Sequence, residues 1–389
     1  MRHIFSDCEL DTDSLTLIRS GRPVVVEPQV FDLIRLLLDN AGRVVTRDEI
    51  IETVWKGRIV SDSAISARIA AARKAVGDDG KRQAVIRTVA RRGLQWVAQA
   101  TPDRASQTAP TVQRIRYAPT PEGHQIAYSV TGSGPPVVHS NPVMSTDLDS
   151  NGRIPALRET FDAIARQNTF LRFDALGSGA SSRDGATFDF DALAEHMKIV
   201  ADAAGLDRFA LHTDSGGCLR AIHFAARYPE RVTRLAITGG YVDGRLRRGS
   251  PETSEPIRGM IDAGWDAPRS GLASGYLLSY FPEGPLDAVR DIVAAMQGAT
   301  SRDFALGHRD SINTASVADL LPRVHCPTLI FHARHDAIHP LSEARKMAAG
   351  IKGAELVVLE TANHMPLPGN AAYPDYLATL LGFLAADDG

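Results

Sequence analysis

The chain has 389 residues, 44% of them hydrophobic and 23% charged, with a formal net charge of −3. That is long enough for two or three domains with cores of their own, and the balance excludes a disordered or collagen-like chain. No run approaches the roughly 18–20 apolar residues of a membrane span, and the start, Met1-Arg2-His3-Ile4-Phe5-Ser6-Asp7, does not read as a signal peptide. A cytoplasmic protein is expected. Cys8, Cys218 and Cys326 have no metal-ligand spacing and read as small buried hydrophobes, so neither a metal nor a cofactor is expected. Charge is sorted along the chain: residues 43–100 hold 12 Lys and Arg against 6 Asp and Glu, whereas residues 101–389 carry a net −6.

Residues 1–27 alternate short apolar and polar pieces, such as Leu15-Thr16-Leu17-Ile18 and Pro23-Val24-Val25-Val26, which predicts a small antiparallel sheet. Pro28 suits a first helical turn, and Val30, Leu33, Ile34 and Leu37 give that helix one apolar face. Thr46-Arg47-Asp48-Glu49 is a capping box opening a second helix. A third starts at Ser61-Asp62-Ser63, buries Ile65, Ile69, Ala72 and Val76, and stops at Gly77. Ala84–Val89 and Leu94–Val97 then read as strands of a hairpin with the arginine-rich tip Ala90-Arg91-Arg92-Gly93.

The pieces Trp55-x-Gly57-x-x-Val60-Ser61-Asp62-Ser63-Ala64-Ile65, Arg73-Lys74-Ala75-Val76-Gly77-Asp78 and Ile86-Arg87-Thr88-Val89 resemble, over about residues 3–98, the OmpR-type winged-helix DNA-binding domain. The resemblance implies that the third helix enters the major groove of double-stranded DNA and the hairpin forms the wing. Side-chain direction points the same way. With Ile65, Ile69, Ala72 and Val76 inward, Ser63, Ser66 and Lys74 face outward and Arg73 lies at the flank. Serines offer single hydrogen bonds to bases, so Arg73, Lys74, Arg87, Arg91 and Arg92 are the expected phosphate contacts. Winged helices commonly bind paired half-sites, so a homodimer is expected.

Residues 99–112 are polar, alanine-rich and proline-punctuated, and read as a flexible linker between residues 1–98 and 113–389. From residue 113 short apolar runs alternate with helical stretches, which predicts an α/β domain with a mostly parallel sheet. One run, Phe209-Ala210-Leu211, precedes His212-Thr213-Asp214-Ser215-Gly216-Gly217-Cys218. That is a G-x-S-x-G pattern with Thr213 for the first glycine: either a nucleophile elbow or a plain tight turn. Two more runs lead into Asp336 and His364, so Ser215, Asp336 and His364 each follow a strand in the order a serine triad takes in hydrolases.

With Gly134-Pro135-Pro136-Val137-Val138, Asp174-x-x-Gly177-x-Gly179-x-Ser181, Phe224-Ala225-Ala226-Arg227-Tyr228-Pro229 and Cys326-Pro327-Thr328-Leu329, these residues resemble the α/β-hydrolase fold over residues 114–385. By that resemblance Ser215 is the nucleophile, His364 the base and Asp336 its orienting carboxylate. Where many members have His-Gly, this chain has His139-Ser140-Asn141-Pro142-Val143, and the oxyanion hole is assigned to the amides of Gly216 and Val143. Residues 241–320 are read as a cap, with Met260, Trp265, Tyr276, Tyr280 and Phe281 lining a pocket for a largely apolar ligand. Two functions follow as expectations: a DNA-binding regulator sensing a small ester, lactone or other carbonyl ligand, or an active serine hydrolase with the winged helix as tether.

Overall fold

The computed structural model describes residues 2–11, 16–58, 60–90, 92–98, 100–102, 113–143, 146–249, 251–267 and 270–386. The chain divides into two compact units, Met1–Thr111 and Val112–Gly389.

In the first unit, strands β1 (Arg2–Phe5), β2 (Cys8–Asp11), β3 (Thr16–Arg19) and β4 (Arg22–Pro23) pair antiparallel in succession. Helix α1 (Pro28–Asp39) has Pro28 in its first turn and buries Val30, Phe31, Leu33, Ile34, Leu37 and Leu38. After β5 (Val44–Val45), α2 (Arg47–Trp55) opens with Thr46 accepting from the Glu49 amide while the Glu49 carboxylate accepts from the Thr46 amide. Those two bonds satisfy donors that a helix start otherwise leaves open. Helix α3 (Asp62–Ala75) is capped by Ser61 Oγ. Strands β6 (Ile86–Val89) and β7 (Gly93–Trp96) form the hairpin, with β5 added to β7. Asp78 sets its position, accepting from the amides of Asp79, Ala84, Val85 and Ile86, each at 2.9 Å. Strand β8 (Ala100–Pro102) pairs with β1, so the first sheet takes in residues that the sequence reading gives to the linker. The rest of that linker, 103–112, lies outside the described residues.

The second unit is built on eight strands in the order β16-β15-β14-β13-β11-β12-β10-β9: β9 (Ile115–Pro119), β10 (Gln125–Thr131), β11 (Pro136–Ser140), β12 (Thr169–Phe173), β13 (Phe209–Asp214), β14 (Val232–Thr238), β15 (Thr328–Ala333) and β16 (Glu355–Leu359). The six from β11 onward are parallel, and β9 and β10 extend the edge antiparallel. Helices α4 (Leu148–Asn151), α5 (Pro155–Ala165), α6 (Phe190–Ala203) and α7 (Gly217–Arg227) follow in chain order. The stretch expected to form a cap holds α8 (Pro251–Gly264), α9 (Gly271–Leu278), α10 (Leu286–Ala299) and α11 (Arg302–Thr314), and α12 (Leu341–Gly350) and α13 (Tyr373–Ala385) complete the unit. Apolar side chains on both faces of the central strands bury the sheet: Val138, Leu211, Leu235 and Ile237 on one side, Val137, Ala210, Ala236 and Phe331 on the other. Because β12 is added on one side of β11 and β13 on the other, the order in which strands are laid down reverses between β11 and β13, although both run the same way. A crevice opens at the carboxyl ends of strands at such a point. Asn141 and Ser215 follow those two ends.

Candidate functional site

The register Ser140↔Thr213 brings the ends of β11 and β13 level. Ser215 then turns the chain into α7 with φ of 48°, a left-handed conformation that costs a non-glycine residue about 1–3 kcal/mol. Surrounding contacts hold it. The Ser215 amide donates to the Thr238 carbonyl at 2.8 Å, Thr213 Oγ1 donates to the Ser140 carbonyl at 2.7 Å, and Ser140 Oγ donates to the Gly217 carbonyl at 3.1 Å. Gly217 is required by proximity, since a Cβ there would lie 2.1 Å from the Ser140 carbonyl oxygen.

Asp336 follows β15 and His364 follows β16, and their loops place Nδ1 of His364 2.7 Å from Oδ2 of Asp336. Asp336 Oδ1 accepts from the amides of Ile338 (2.7 Å) and His339 (3.1 Å). Burial pushes the Asp336 carboxyl up, but His364, His332 and the Ile338 amide outweigh it and hold it below the usual carboxylate range, so it is ionised. His364 Nε2 is buried without a hydrogen-bond partner. The imidazole packs so closely on Gly239 that a Cβ there would lie 2.7 Å from its Cε1. Since Thr238 receives the Ser215 amide, the serine and histidine loops meet over the end of β14.

Ser215 and Gly216 border a cavity of about 110 Å³ whose walls are mainly apolar, including Leu157, Phe161, Leu277, Ile292, Met296, Ile312 and Met365. Of the five expected pocket residues, Tyr276, Tyr280 and Phe281 line it. Trp265 and Met260 do not. Trp265 is buried within the cap, its indole N–H donating to the Thr300 carbonyl at 3.0 Å, and Met260 packs on that cluster. The Val143 side chain packs among Ala175, Leu193 and Phe304, and Asn141 and Pro142 border the cavity. Strand β11 ends at Ser140, in register with Thr213, so Asn141 comes level with the elbow.

His139 and His212, side by side on β11 and β13, have their Nδ1 atoms 3.0 Å apart, and each Nε2 lies 3.8 Å from an Asp214 oxygen. Burial lowers both imidazole pKa values and raises that of Asp214. These three offer ligand atoms within 4.8 Å of one another, but the Nδ1 contact argues against a metal. Ligation through both Nε2 atoms leaves a proton on each Nδ1, pointing two N–H groups at each other.

In the first unit, Ser63, Ser66, Lys74, Arg87 and Arg92 are exposed, and Arg91 lies outside the described residues. Arg73 corrects the sequence reading. It is 9% exposed, and its guanidinium donates to the Ile86 carbonyl (3.1 and 3.0 Å) and to Thr88 Oγ1 (2.8 Å), tying α3 to β6. Its neighbour Val76 packs inward, so the same helical turn that exposes Lys74 carries Arg73 over the hairpin.

Two family profiles match: "Transcriptional regulatory protein, C terminal" over residues 21–95 and "alpha/beta hydrolase fold" over residues 153–371. Pyrrolizixenacetamide deacetylase of Xenorhabdus hominickii is 26% identical over 267 residues, 68% of this chain and 96% of that protein. Transcriptional activator CadC of Escherichia coli K12 is 37% identical over 88 residues, 22% of this chain and 17% of CadC. Among solved structures, the enol-lactonase from Burkholderia xenovorans LB400 matches with a TM-score of 0.56 at 21% identity, covering 70% of this chain and all of that one, a likeness of fold. No described helix is long and apolar enough to cross a membrane. The chain belongs to the α/β-hydrolase fold family and carries, ahead of that domain, an OmpR-type DNA-binding domain of transcriptional regulators.

Proposed function

We propose that this chain is a transcriptional regulator whose hydrolase-fold domain receives a small carbonyl compound, an ester or lactone with an apolar acyl part, at Ser215. The cavity ending on Ser215 and Gly216 carries this reading. Its apolar walls favour a hydrocarbon chain, and its limited volume favours a short one. Regulation requires only that the ligand bind two arrangements of the protein unequally. A homodimer on paired half-sites is part of the proposal, as are DNA contacts from Ser63, Ser66, Lys74, Arg87 and Arg92.

A second reading, turnover of the bound compound, is favoured by the 2.7 Å contact between Asp336 and His364. In that reading His364 Nε2 takes the Ser215 proton as Oγ attacks the carbonyl carbon, and Asp336 holds the ring by its Nδ1 proton. The oxyanion accepts from the amides of Gly216, at the start of α7, and Asn141. His364 then gives its proton to the leaving oxygen, and water releases the acyl group by the reverse path. Mass spectrometry of the intact protein after exposure to a fluorophosphonate tests this. One adduct, absent from Ser215→Ala and His364→Ala, supports turnover; an adduct that survives Ser215→Ala rejects Ser215 as nucleophile. A folded protein that takes no adduct rejects turnover and leaves ligand sensing.

A further inference from the structure

Arg309, on cap helix α11, is among the largest fully buried side chains of the protein, and it has no ion-pair partner among the described residues. Only one side of its guanidinium is used. Nη1 donates to the Tyr280 hydroxyl at 3.2 Å, whereas Nε and Nη2 are buried without any hydrogen-bond partner. Nε and Nη2 form one edge of the planar group, the edge whose parallel N–H bonds match the two oxygens of a carboxylate. A buried charge with its fork empty is uncommon in a native protein, and such a group calls for a partner.

The surroundings supply donors and no counter-charge. Tyr280 Oη accepts from Arg309 Nη1 and from the Tyr276 hydroxyl at 3.3 Å, so its own proton remains available to a further acceptor. The Tyr241 hydroxyl is also buried and unpartnered, and it borders the elbow: a Cβ on Gly216 would lie 3.5 Å from it. Tyr276 and Tyr280 line the cavity at Ser215, as do His308 and Ile312, which flank Arg309 on α11. Burial pushes the His308 pKa down to about 3, which leaves that imidazole neutral, while buried Arg245, whose Nη2 donates to the Ile338 carbonyl at 3.2 Å, adds positive charge near Arg309 and Tyr280.

We propose that Arg309, with the hydroxyls of Tyr241 and Tyr280, is the binding site for a free carboxylate of the ligand, so that the compound received at Ser215 is a half-ester or other acyl compound carrying a second, ionised carboxyl group. The proposal rests on the reading that the cavity receives a carbonyl ligand, and it narrows the class. Arg309 and Tyr241 are not themselves among the cavity's lining residues, so the ligand's carbonyl meets the elbow while its carboxylate passes Tyr280, which lines the cavity and accepts from Arg309, to reach the fork.

Calorimetric titration of the Ser215→Ala protein, which cannot form an acyl-enzyme, tests it with the monomethyl and dimethyl esters of succinate, glutarate and adipate. At least one monoester is expected to bind more tightly than its dimethyl counterpart by about tenfold or more, the scale of a charge-assisted hydrogen bond. Arg309→Met in the same background is expected to abolish that preference while keeping affinity for the diester. Arg309→Lys, which keeps the charge but lacks the fork, is expected to restore only part of it. Equal binding of monoester and diester, or a preference that survives Arg309→Met, overturns the carboxylate site and leaves the cavity reading standing. If no ester binds to a protein whose melting temperature matches the parent, both fall together.

Discussion

In an Arg73→Met chain, helix α3 keeps a buried aliphatic stem but loses the guanidinium bonds to the Ile86 carbonyl and to Thr88 Oγ1. Hydrogen bonds from a charged donor contribute about 1.5–3 kcal/mol each. Thr88 is exposed and recovers part of its loss in water, which brings the expected cost to about 2–4 kcal/mol. For a unit of this size each kcal/mol moves the melting temperature by about 4–8 °C, so the fall is on the order of 10–25 °C. Scanning calorimetry of the full chain reads that fall in the transition of the first unit. Footprinting at a temperature where the variant remains folded reads the other arm. A residue that ties helix to wing leaves the salt dependence of DNA affinity unchanged, whereas loss of a phosphate contact lowers its log–log slope by about one. A variant that melts within about 2 °C of the parent and loses one unit of slope would refute the assignment of Arg73 as a tie.

Two further outcomes follow from close contacts. Gly217→Ala forces a Cβ to within 2.1 Å of the Ser140 carbonyl oxygen, so the second unit is expected to lose about 1–3 kcal/mol and Ser215 its reactivity with the fluorophosphonate. Gly259→Ala, in α8 with nothing within 4 Å of the new methyl, is the control and should melt no lower than the parent. Burial raises the Asp78 carboxyl pKa, but four amide hydrogen bonds outweigh it and hold the folded value below 3.8. Its contribution is therefore complete above the unfolded value and is lost as pH falls through the folded one. Acid titration by circular dichroism should show Asp78→Asn destabilised relative to the parent at neutral pH, with the gap closing as pH falls through the folded value; a gap of constant size would contradict this.

The helical faces of the first unit were legible because each is written in consecutive residues. Val30, Leu33, Ile34 and Leu37 recur at helical spacing, and Thr46 with Glu49 forms a cap from a single turn. Legibility failed wherever a side chain's partner lies far along the chain. Arg73 reads as a flank residue until β6 folds across it, and Trp265 reads as a pocket aromatic until the Thr300 carbonyl accepts from its indole N–H. The antiparallel pair β9 and β10 is not marked in the sequence, because an edge pair has no long apolar run.

By itself the sequence determined the two-domain order, the alternation of strand and helix, and the positions after strands where Ser215, Asp336 and His364 stand. These are local properties, set by periodicity and by small residues at turns. Only the tertiary structure decided that Asn141 rather than Val143 borders the cavity, that Trp265 is cap core, and that Arg309 donates to Tyr280 with Nε and Nη2 unfilled. The reason is physical: which side chains share a cavity depends on the register of strands and the tilt of helices, and those are set by packing among residues tens to hundreds of positions apart.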